Sequence, residues 1–203
     1  GRLVQEKGID MLIEIYQDYR KRVNNPWELI ICGTGPLLQR CLNRDGVSVL
    51  GFTQPNKLPE VFCTTKCLIL PSYFEPWGLV IHEAACAGKI ISSSYKCGAS
   101  TYFVRDGQNG YIINPDRSSL MDAMIKVSDK EEAEIDEMSK FSRQLGFTWT
   151  PSKWANYVYE NLKNKSKRKL RPKLDFLSVA SHSKLLQETR SKKTRSASRP
   201  EPC

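Results

Sequence analysis

Residues 67–70 read Cys-Leu-Ile-Leu, an unbroken apolar four that turns at once into Pro71-Ser72-Tyr73-Phe74-Glu75-Pro76-Trp77-Gly78. A strand with one wet face alternates apolar and polar residues. A wholly apolar run of strand length instead fits a parallel strand covered on both faces. The same grammar recurs along the chain. Ile9, Leu12, Ile13, Ile15, Tyr16 and Tyr19 lie at helical spacing, Pro26 closes that segment, and residues 27–32 read as a strand. Gly33-Thr34-Gly35-Pro36 then turns the chain into a second helix with Pro36 in its first turn. Residues 47–52 read as a strand, 58–65 as a short helix, 78–87 as a helix, 90–92 as a strand, 99–104 as a helical turn and 111–113 as a last strand. Strands alternating with helices through short Gly/Pro/Asn loops are βαβ units. They predict an α/β fold, a Rossmann-like parallel sheet with helices on both faces. Beyond Asp116 the pattern is helical only, over 120–127, 130–145 and 154–162.

The net charge of +9 points at first to a nucleic acid or a membrane, but the charge is not spread evenly. Residues 164–203 hold twelve Lys/Arg and three Asp/Glu, which leaves nineteen of each sign in residues 1–163. The chain therefore divides into a neutral domain, 1–163, and a basic tail, 164–203. The tail has too little apolar surface to offset its ordering entropy and is expected to be disordered, with one amphipathic interlude around Leu174–Leu186. Seven scattered cysteines are an odd number and do not form a secreted disulfide framework. They point to a reducing compartment, so a cytoplasmic location is expected, or a peripheral one at the cytoplasmic face of a membrane. Cys63 and Cys67 have no Cys or His pair at zinc-finger spacing, so no metal is expected and both read as buried apolar cysteines.

In an open parallel sheet, ligands bind outside the carboxyl ends of the strands, where loops meet helix N-termini. Four such junctions are polar or Gly-rich: 1–8, 33–36, 52–55 and 72–78. At the first, Arg2 and Lys7 are two cations that could neutralise a diphosphate, Arg by a bidentate fork and Lys as a point charge; beside them Gly8 lets the backbone pass close. At the second, Gly33 and Gly35 begin a dinucleotide fingerprint, yet Leu38 stands where its third glycine belongs. What remains is a tight turn suited to an anion or sugar hydroxyls, or a turn chosen for geometry alone. At the fourth, Glu75 sits just outside the strand, and Pro76-Trp77-Gly78 leads into the helix. Glu83 lies about 7.5 Å further along the helix axis than Gly78, too far on for a metal or proton-sharing pair with Glu75. A carboxylate among Ala84, Ala85, Ala87 and Gly88 needs a partner, and a vicinal diol would satisfy it. His82, one helical step round from Glu83, should point elsewhere, and Trp77 either caps the pocket or packs.

These residues carry a resemblance. GRLVQEKG, CGTGP, VLGF, LILPSYFEPWGLVIHEAACAG and VRDGQNGYIINPD follow in the order and spacing of the carboxyl-terminal half of a retaining nucleotide-sugar glycosyltransferase. The family resembled is family 4, the glycosyl transferases group 1, with the two-Rossmann GT-B fold, and the likeness runs over residues 1–160. It implies Glu75 near the donor sugar as the catalytic-site glutamate and Glu83 on the ribose hydroxyls. It further implies Arg2 and Lys7 on the diphosphate, and Phe74, Trp77, Gly78 and Leu79 in the loop that cradles phosphate and sugar, with Gly33 and Gly35 in the opposite turn. No divalent metal or other cofactor is implied. The chain departs from the family at Gly98-Ala99-Ser100-Thr101-Tyr102, where members have Gly-Gly-x-Pro-Glu, and in the basic tail.

The expected function is thus the donor-binding half of a retaining, hexosyltransferase-type enzyme that moves a sugar from a nucleotide diphosphate sugar to an acceptor hydroxyl. The resemblance places the acceptor site on an N-terminal Rossmann domain outside this sequence, as well as a strand before Gly1, so this chain by itself is expected to lack turnover. Expected partners are the nucleotide sugar, that domain and, through the tail, a weak anionic membrane contact; no specific nucleic acid is expected. Two other readings compete. A glycoside hydrolase would use Glu75 and Glu83 as acid and base, which asks for carboxyls ~5 to 9.5 Å apart across one bond. A non-catalytic scaffold would use the basic tail on anionic lipid or RNA, with strongly salt-dependent binding.

Overall fold

The structure, a computed structural model, describes residues 1–167. The expected disorder of the tail and its Leu174–Leu186 interlude lie outside the described residues. Two compact units divide the chain after Thr150. The second is described as one helix, α8 (Pro151–Lys167), which overruns the expected 154–162 at both ends.

In the first unit, strands and helices alternate as anticipated. Helix α1 (Ile9–Arg22) buries Met11 with Leu12, Ile13, Ile15, Tyr16 and Tyr19, five of the six residues whose spacing announced it, while Ile9 at its start is only half-buried. Strands β1 (Leu29–Cys32) and β2 (Val47–Gly51) pair in parallel, with Leu29 opposite Val47 and an irregularity between Ile31 and Cys32. Between them, α2 (Leu38–Cys41) is a single turn, and Pro36 precedes it instead of starting it. Trp27 and Glu28 also fall outside β1. The Trp27 N–H donates to Tyr19 Oη (3.0 Å) and its carbonyl accepts from Tyr16 Oη (3.0 Å), so α1 takes the bonds a strand would have used.

Helix α3 (Leu58–Cys63) leads to β3 (Cys67–Leu70), followed by α4 (Leu79–Cys86), β4 (Ile90–Ser94), α5 (Ser100–Phe103), β5 (Gly110–Ile113), α6 (Arg117–Ser128) and α7 (Glu132–Gly146). Strands β3, β4 and β5 form a second parallel sheet in that order, with Cys67 opposite Ile90 and Ile91 opposite Gly110. Asp116 caps α6 by accepting from the Ser119 N–H (2.8 Å), and Glu131 with Glu134 forms a capping box on α7.

The described strands thus make two parallel sheets, not one, and this changes which strand is central. β3 is an edge and only half-buried along its length, whereas β4, whose last three residues are serines, is buried throughout. Ser93 and Ser100 share a hydrogen bond (2.7 Å), and Ser100 Oγ donates to the Ser94 carbonyl (3.2 Å), so the Ser93 and Ser100 hydroxyls are paired inside, while Ser92 Oγ is buried without a partner. Helices do cover both faces. Leu68 and Leu70 pack with Ile81, Ala84 and Ala85 of α4, while Ile69 packs with α1 and α6 on the other side. Leu29 of β1 joins that same α1/α6 cluster, so one apolar layer spans both sheets.

Under the β4–β5 end, Asn109 is fully buried. Its amide donates to the Phe103 carbonyl (2.9 Å) and Ser142 Oγ (3.2 Å) and accepts from the Arg105 N–H (2.7 Å). Ser142 Oγ in turn donates to the Lys89 carbonyl (2.7 Å), which ties α7 to the start of β4.

Candidate functional site

All strands being parallel within each sheet, their carboxyl ends carry the turns 33–37, 71–78 and 95–99. Leading into α1 is a 3-10 turn, Gln5–Lys7, closed by Gly8. The Glu6 carbonyl accepts the N–H groups of Tyr73 (2.8 Å) and Phe74 (3.3 Å), which staples this turn to the loop after β3. Gly8 makes the staple possible. Its φ is 70°, and a Cβ there would run into the Pro71 carbonyl oxygen.

Glu75 is held from the opposite side by β4's exit. Its N–H donates to the Lys96 carbonyl (3.3 Å), its carbonyl accepts from Gly98 (3.2 Å), and the segment bridges Cys97 in parallel. Across the staple, Lys7 Nζ donates to Glu75 Oε2 in a direct ion pair, with the two side chains 24% and 13% exposed. Burial pulls the Lys7 ammonium below the ordinary lysine value, and the cation Arg2 adds to that. Beneath them, burial raises the Cys97 thiol above its usual range, against the pull of Ser72 and Lys7.

Arg2 is exposed and pairs by its backbone with Thr34, at the carboxyl end of β1. The Leu3 N–H donates to the Thr34 carbonyl (2.8 Å), and the Leu3 carbonyl accepts from Leu37 (3.0 Å). Gly33 and Gly35 therefore face the chain itself. A Cβ on Gly33 would meet the Gly1 carbonyl oxygen, and one on Gly35 would lie 2.5 Å from the Leu3 oxygen. The Gly33 N–H is engaged too, donating to the Gly51 carbonyl (2.7 Å). Residues 1–3 fill the space that a ligand cradled by this turn would need.

Gly78 caps α4 with φ 88°, and the first turn of that helix aims its N–H groups at the loop. Phe74, Trp77 and Leu79 are all exposed, and the Trp77 ring leans on Tyr102 at 5.4 Å between centroids. Trp77 thus packs through one side of its ring and leaves part of it exposed. Glu83 is half-buried on α4. Burial lowers the Gly1 amine, and Cys32, Lys7 and Glu83 are the charges that act on it. The small residues around Glu83 admit a backbone, not a ligand: Gly146 of α7 lies against Ala85 and Cys86, and a Cβ on Gly88 would lie 3.2 Å from the Ser139 carbonyl oxygen. His82 does point away from Glu83, stacking on Phe103 (4.3 Å) with Nε2 at 2.9 Å from the Gly146 carbonyl.

The structure brings Lys7 onto Glu75 at the β3–α4 junction, with Phe74, Trp77, Gly78 and Leu79 in the same loop and helix start, while Arg2 stands beside Thr34 at the end of β1 and Glu83 further along α4. Sequence reasoning missed the Glu6 carbonyl and the Lys96–Gly98 backbone as the parts that aim Glu75. Main-chain contacts of this kind leave no residue signature. Among the described residues, no group of three or more His, Cys, Asp or Glu could hold a metal ion. Six free cysteines are described, Cys41 and Cys97 buried; Cys63 is exposed and Cys67 only half-buried, against the expectation that both are buried. No helix among the described residues is long and apolar enough to cross a membrane.

A Rossmann-like half with its polar residues at one strand-to-helix edge is the class that fold and site define. Residues 1–144 match the family described as Glycosyl transferases group 1, and the chain belongs to that family. It is 27% identical over 140 residues to alpha-D-kanosaminyltransferase of Streptomyces kanamyceticus, covering 65% of this chain and 36% of that protein. To the uncharacterized glycosyltransferase YqgM of Bacillus subtilis it is 26% identical over 144 residues, 66% of this chain and 39% of the other. The chain spans about a third of the length of these curated relatives. In fold it resembles HepE of Anabaena in complex with UDP and glucose, with a TM-score of 0.67 and 19% identity over 81% of this chain and 47% of that one. It also resembles the C-terminal domain of a group 1 glycosyl transferase, LpcC, of Francisella tularensis (TM-score 0.62, 20% identity, 73% of this chain and 82% of that one).

Proposed function

We propose that this chain is the donor-binding half of a retaining glycosyltransferase, which moves a hexose from a nucleotide diphosphate sugar to an acceptor hydroxyl on a separate domain. The observation that carries the reading is the meeting of Glu75 with the cationic 1–8 loop at the β3–α4 junction, in a chain of this family. As the bond from the anomeric carbon to the diphosphate breaks, its electron pair stays on the diphosphate. Fixed cations and the N–H groups at the start of α4 stabilise that charge without a metal. The acceptor oxygen bonds to the anomeric carbon on the face the diphosphate leaves, and its proton passes to the departing diphosphate oxygen. Glu83 accepts the ribose hydroxyls, and Glu75 faces the sugar. The solved relative HepE holds UDP and glucose, which supports a uridine nucleotide as the first candidate.

Without the acceptor domain, the chain binds donor and does not turn it over. The test is a thermal-shift panel of UDP, GDP, ADP and their glucose conjugates on the 203-residue chain and on Glu83→Ala. A rise in Tm with one nucleotide, lost in Glu83→Ala, is the expected result. No rise with any of them would sink the reading, and sugar transfer by the chain alone would sink the claim that it needs a second domain.

A further inference from the structure

The proposed donor reading puts the two ends of one ligand on two different supports. Glu75 belongs to the loop after β3, and Glu83 to the second turn of α4. The link between them passes through Gly78 at a φ of 88°, a permissive joint, so the covalent chain alone does not fix their separation. The four residues of α5 and their lead-in touch both supports. On the loop's side, the Gly98 N–H donates to the Glu75 carbonyl (3.2 Å) and the Ala99 N–H to the Trp77 carbonyl (2.8 Å). Gly98 lies so close that a Cβ on it would run into the Pro76 carbonyl oxygen. The Tyr102 ring then packs on the Trp77 ring, 5.4 Å between centroids and tilted by 48°, and meets Trp149 edge-on at 6.4 Å. The next residue, Phe103, is buried and turned to α4, where it stacks on His82 at 4.3 Å with 9° between the planes. Successive helical residues point about 100° apart, so two neighbours can grip two different partners. His82 immediately precedes Glu83, and its Nε2 is tied to the Gly146 carbonyl (2.9 Å), which anchors the helix side of the contact to α7.

We propose that Tyr102 is a positioning residue: with Phe103 it makes α5 a brace between the Glu75 loop and α4, which sets the separation at which the donor's sugar and ribose are held. The inference rests on the donor-site reading above and assigns the spacing to an element outside the donor loop. A loop carried by backbone bonds alone can rock about Gly78. A tilted ring-on-ring contact resists that motion, because aromatic pairs favour particular offsets over a free slide. The brace acts at the Trp77 end of the loop, two residues from Glu75, and at the residue next to Glu83, so a change in it is felt as a change in the distance between the two carboxylates.

The contact is tested first without ligand, by a double-variant cycle in denaturant unfolding of the full chain with Trp77→Ala and Tyr102→Ala. Tyr102 is 47% exposed, so its truncation leaves the core in place. The double variant should lose less than the two singles added together, because each single change already removes the shared contact. A loss equal to their sum overturns the brace. The role is tested by titrating UDP and UDP-glucose into wild type, Tyr102→Ala and Tyr102→Phe. Tyr102→Ala is expected to weaken UDP-glucose about three- to tenfold, the size of one aromatic pair, and UDP by less than about twofold, since only the sugar end reaches the Glu75 loop. Tyr102→Phe keeps the ring and is expected to bind both ligands as wild type does. Equal weakening of the two ligands by Tyr102→Ala, or no weakening of either, overturns the positioning role. So does a Tyr102→Phe variant that behaves like Tyr102→Ala, because the hydroxyl and not the ring contact would then be at work. Should wild type bind neither ligand, nor GDP and ADP, the donor-site reading falls and the positioning role with it, while the ligand-free cycle still decides whether α5 braces the loop.

Discussion

The turn after β1 and the turn after β3 are built from the same material, glycines at a strand-to-helix junction, and they end differently. After β1, the space over Gly33 and Gly35 is taken by the backbone of residues 1–3, and the helix that follows lasts one turn. After β3, the loop is clamped at Glu6 and at Lys96–Gly98, and what it presents is charge, namely Glu75 on Lys7. The first junction closes on the protein itself, and the second is where the proposed function docks the nucleotide sugar. Changes at the β1 turn should therefore cost stability, and changes at the β3 turn should cost binding.

The largest effect is expected from Gly35→Val. Its Cβ would lie 2.5 Å from the Leu3 carbonyl oxygen and 2.7 Å from the Leu3 nitrogen, backbone atoms with no room to move. Denaturant unfolding should show a loss of about 2–4 kcal/mol, typical of a severe backbone clash. A loss under about 0.5 kcal/mol, the level of neutral surface changes, would mean that residues 1–3 do not press on this turn. Next comes Gly8→Ala, at a φ of 70° and against the Pro71 carbonyl. It should cost about 1–3 kcal/mol, as a strained left-handed residue does, and it alone of these changes should lower stability and nucleotide affinity together, because it loosens the staple at Glu6. Glu83→Ala is smaller for folding. A half-buried carboxylate with no side-chain hydrogen bond or salt bridge among the described residues should leave stability within about 1 kcal/mol, while the thermal shift given by nucleotide disappears. If Glu83→Ala instead unfolds the chain and spares the shift, the two junctions are alike and Glu83 is a structural residue.

Much of this was legible in the residues, and the limits have physical causes. Cys67–Leu70 was readable to the residue, because an apolar run between Lys66 and Pro71 leaves no choice of boundary. Glu75 and Glu83 stood out because a carboxylate in a run of small and apolar residues needs a reason. The division into two sheets was not readable, since which strand lies beside which is a long-range choice that no local pattern encodes. Nor was the burial of Ser92, Ser93 and Ser94, of which Ser93 finds its hydroxyl partner on α5, a different element, and Ser94 Oγ accepts from the Lys96 N–H just past the strand. The small residues after Glu83 announced a close approach correctly, but only the fold shows that α7 makes it. Gly33-Thr34-Gly35 left open whether its turn cradles a ligand or serves geometry, and the choice turns on Gly1 and Leu3, some thirty residues earlier in the chain.

The smallest effect concerns pH and asks whether the β3 junction is held by its charges or in spite of their burial. Burial lowers the Lys7 pKa from 10.5, so between the folded value and 10.5 the unfolded chain binds more protons than the folded one. Stability then rises with pH over that window. Cys97 works oppositely. Its thiol is raised by burial, so above the unfolded thiol value of about 8.5 the unfolded chain ionises first and stability falls. Lys7→Met removes the rising contribution, and it also removes a cation that pulls Cys97 down, which prolongs the falling one. Both changes have the same sign. Measured by denaturant unfolding from pH 8 to pH 10.5, the stability gap between wild type and Lys7→Met should widen as pH rises. A gap that narrows would mean that the attraction of Glu75 outweighs burial at Lys7. The β3 junction would then be a stabilising ion pair in its own right, with a free-energy cost to open when the donor binds.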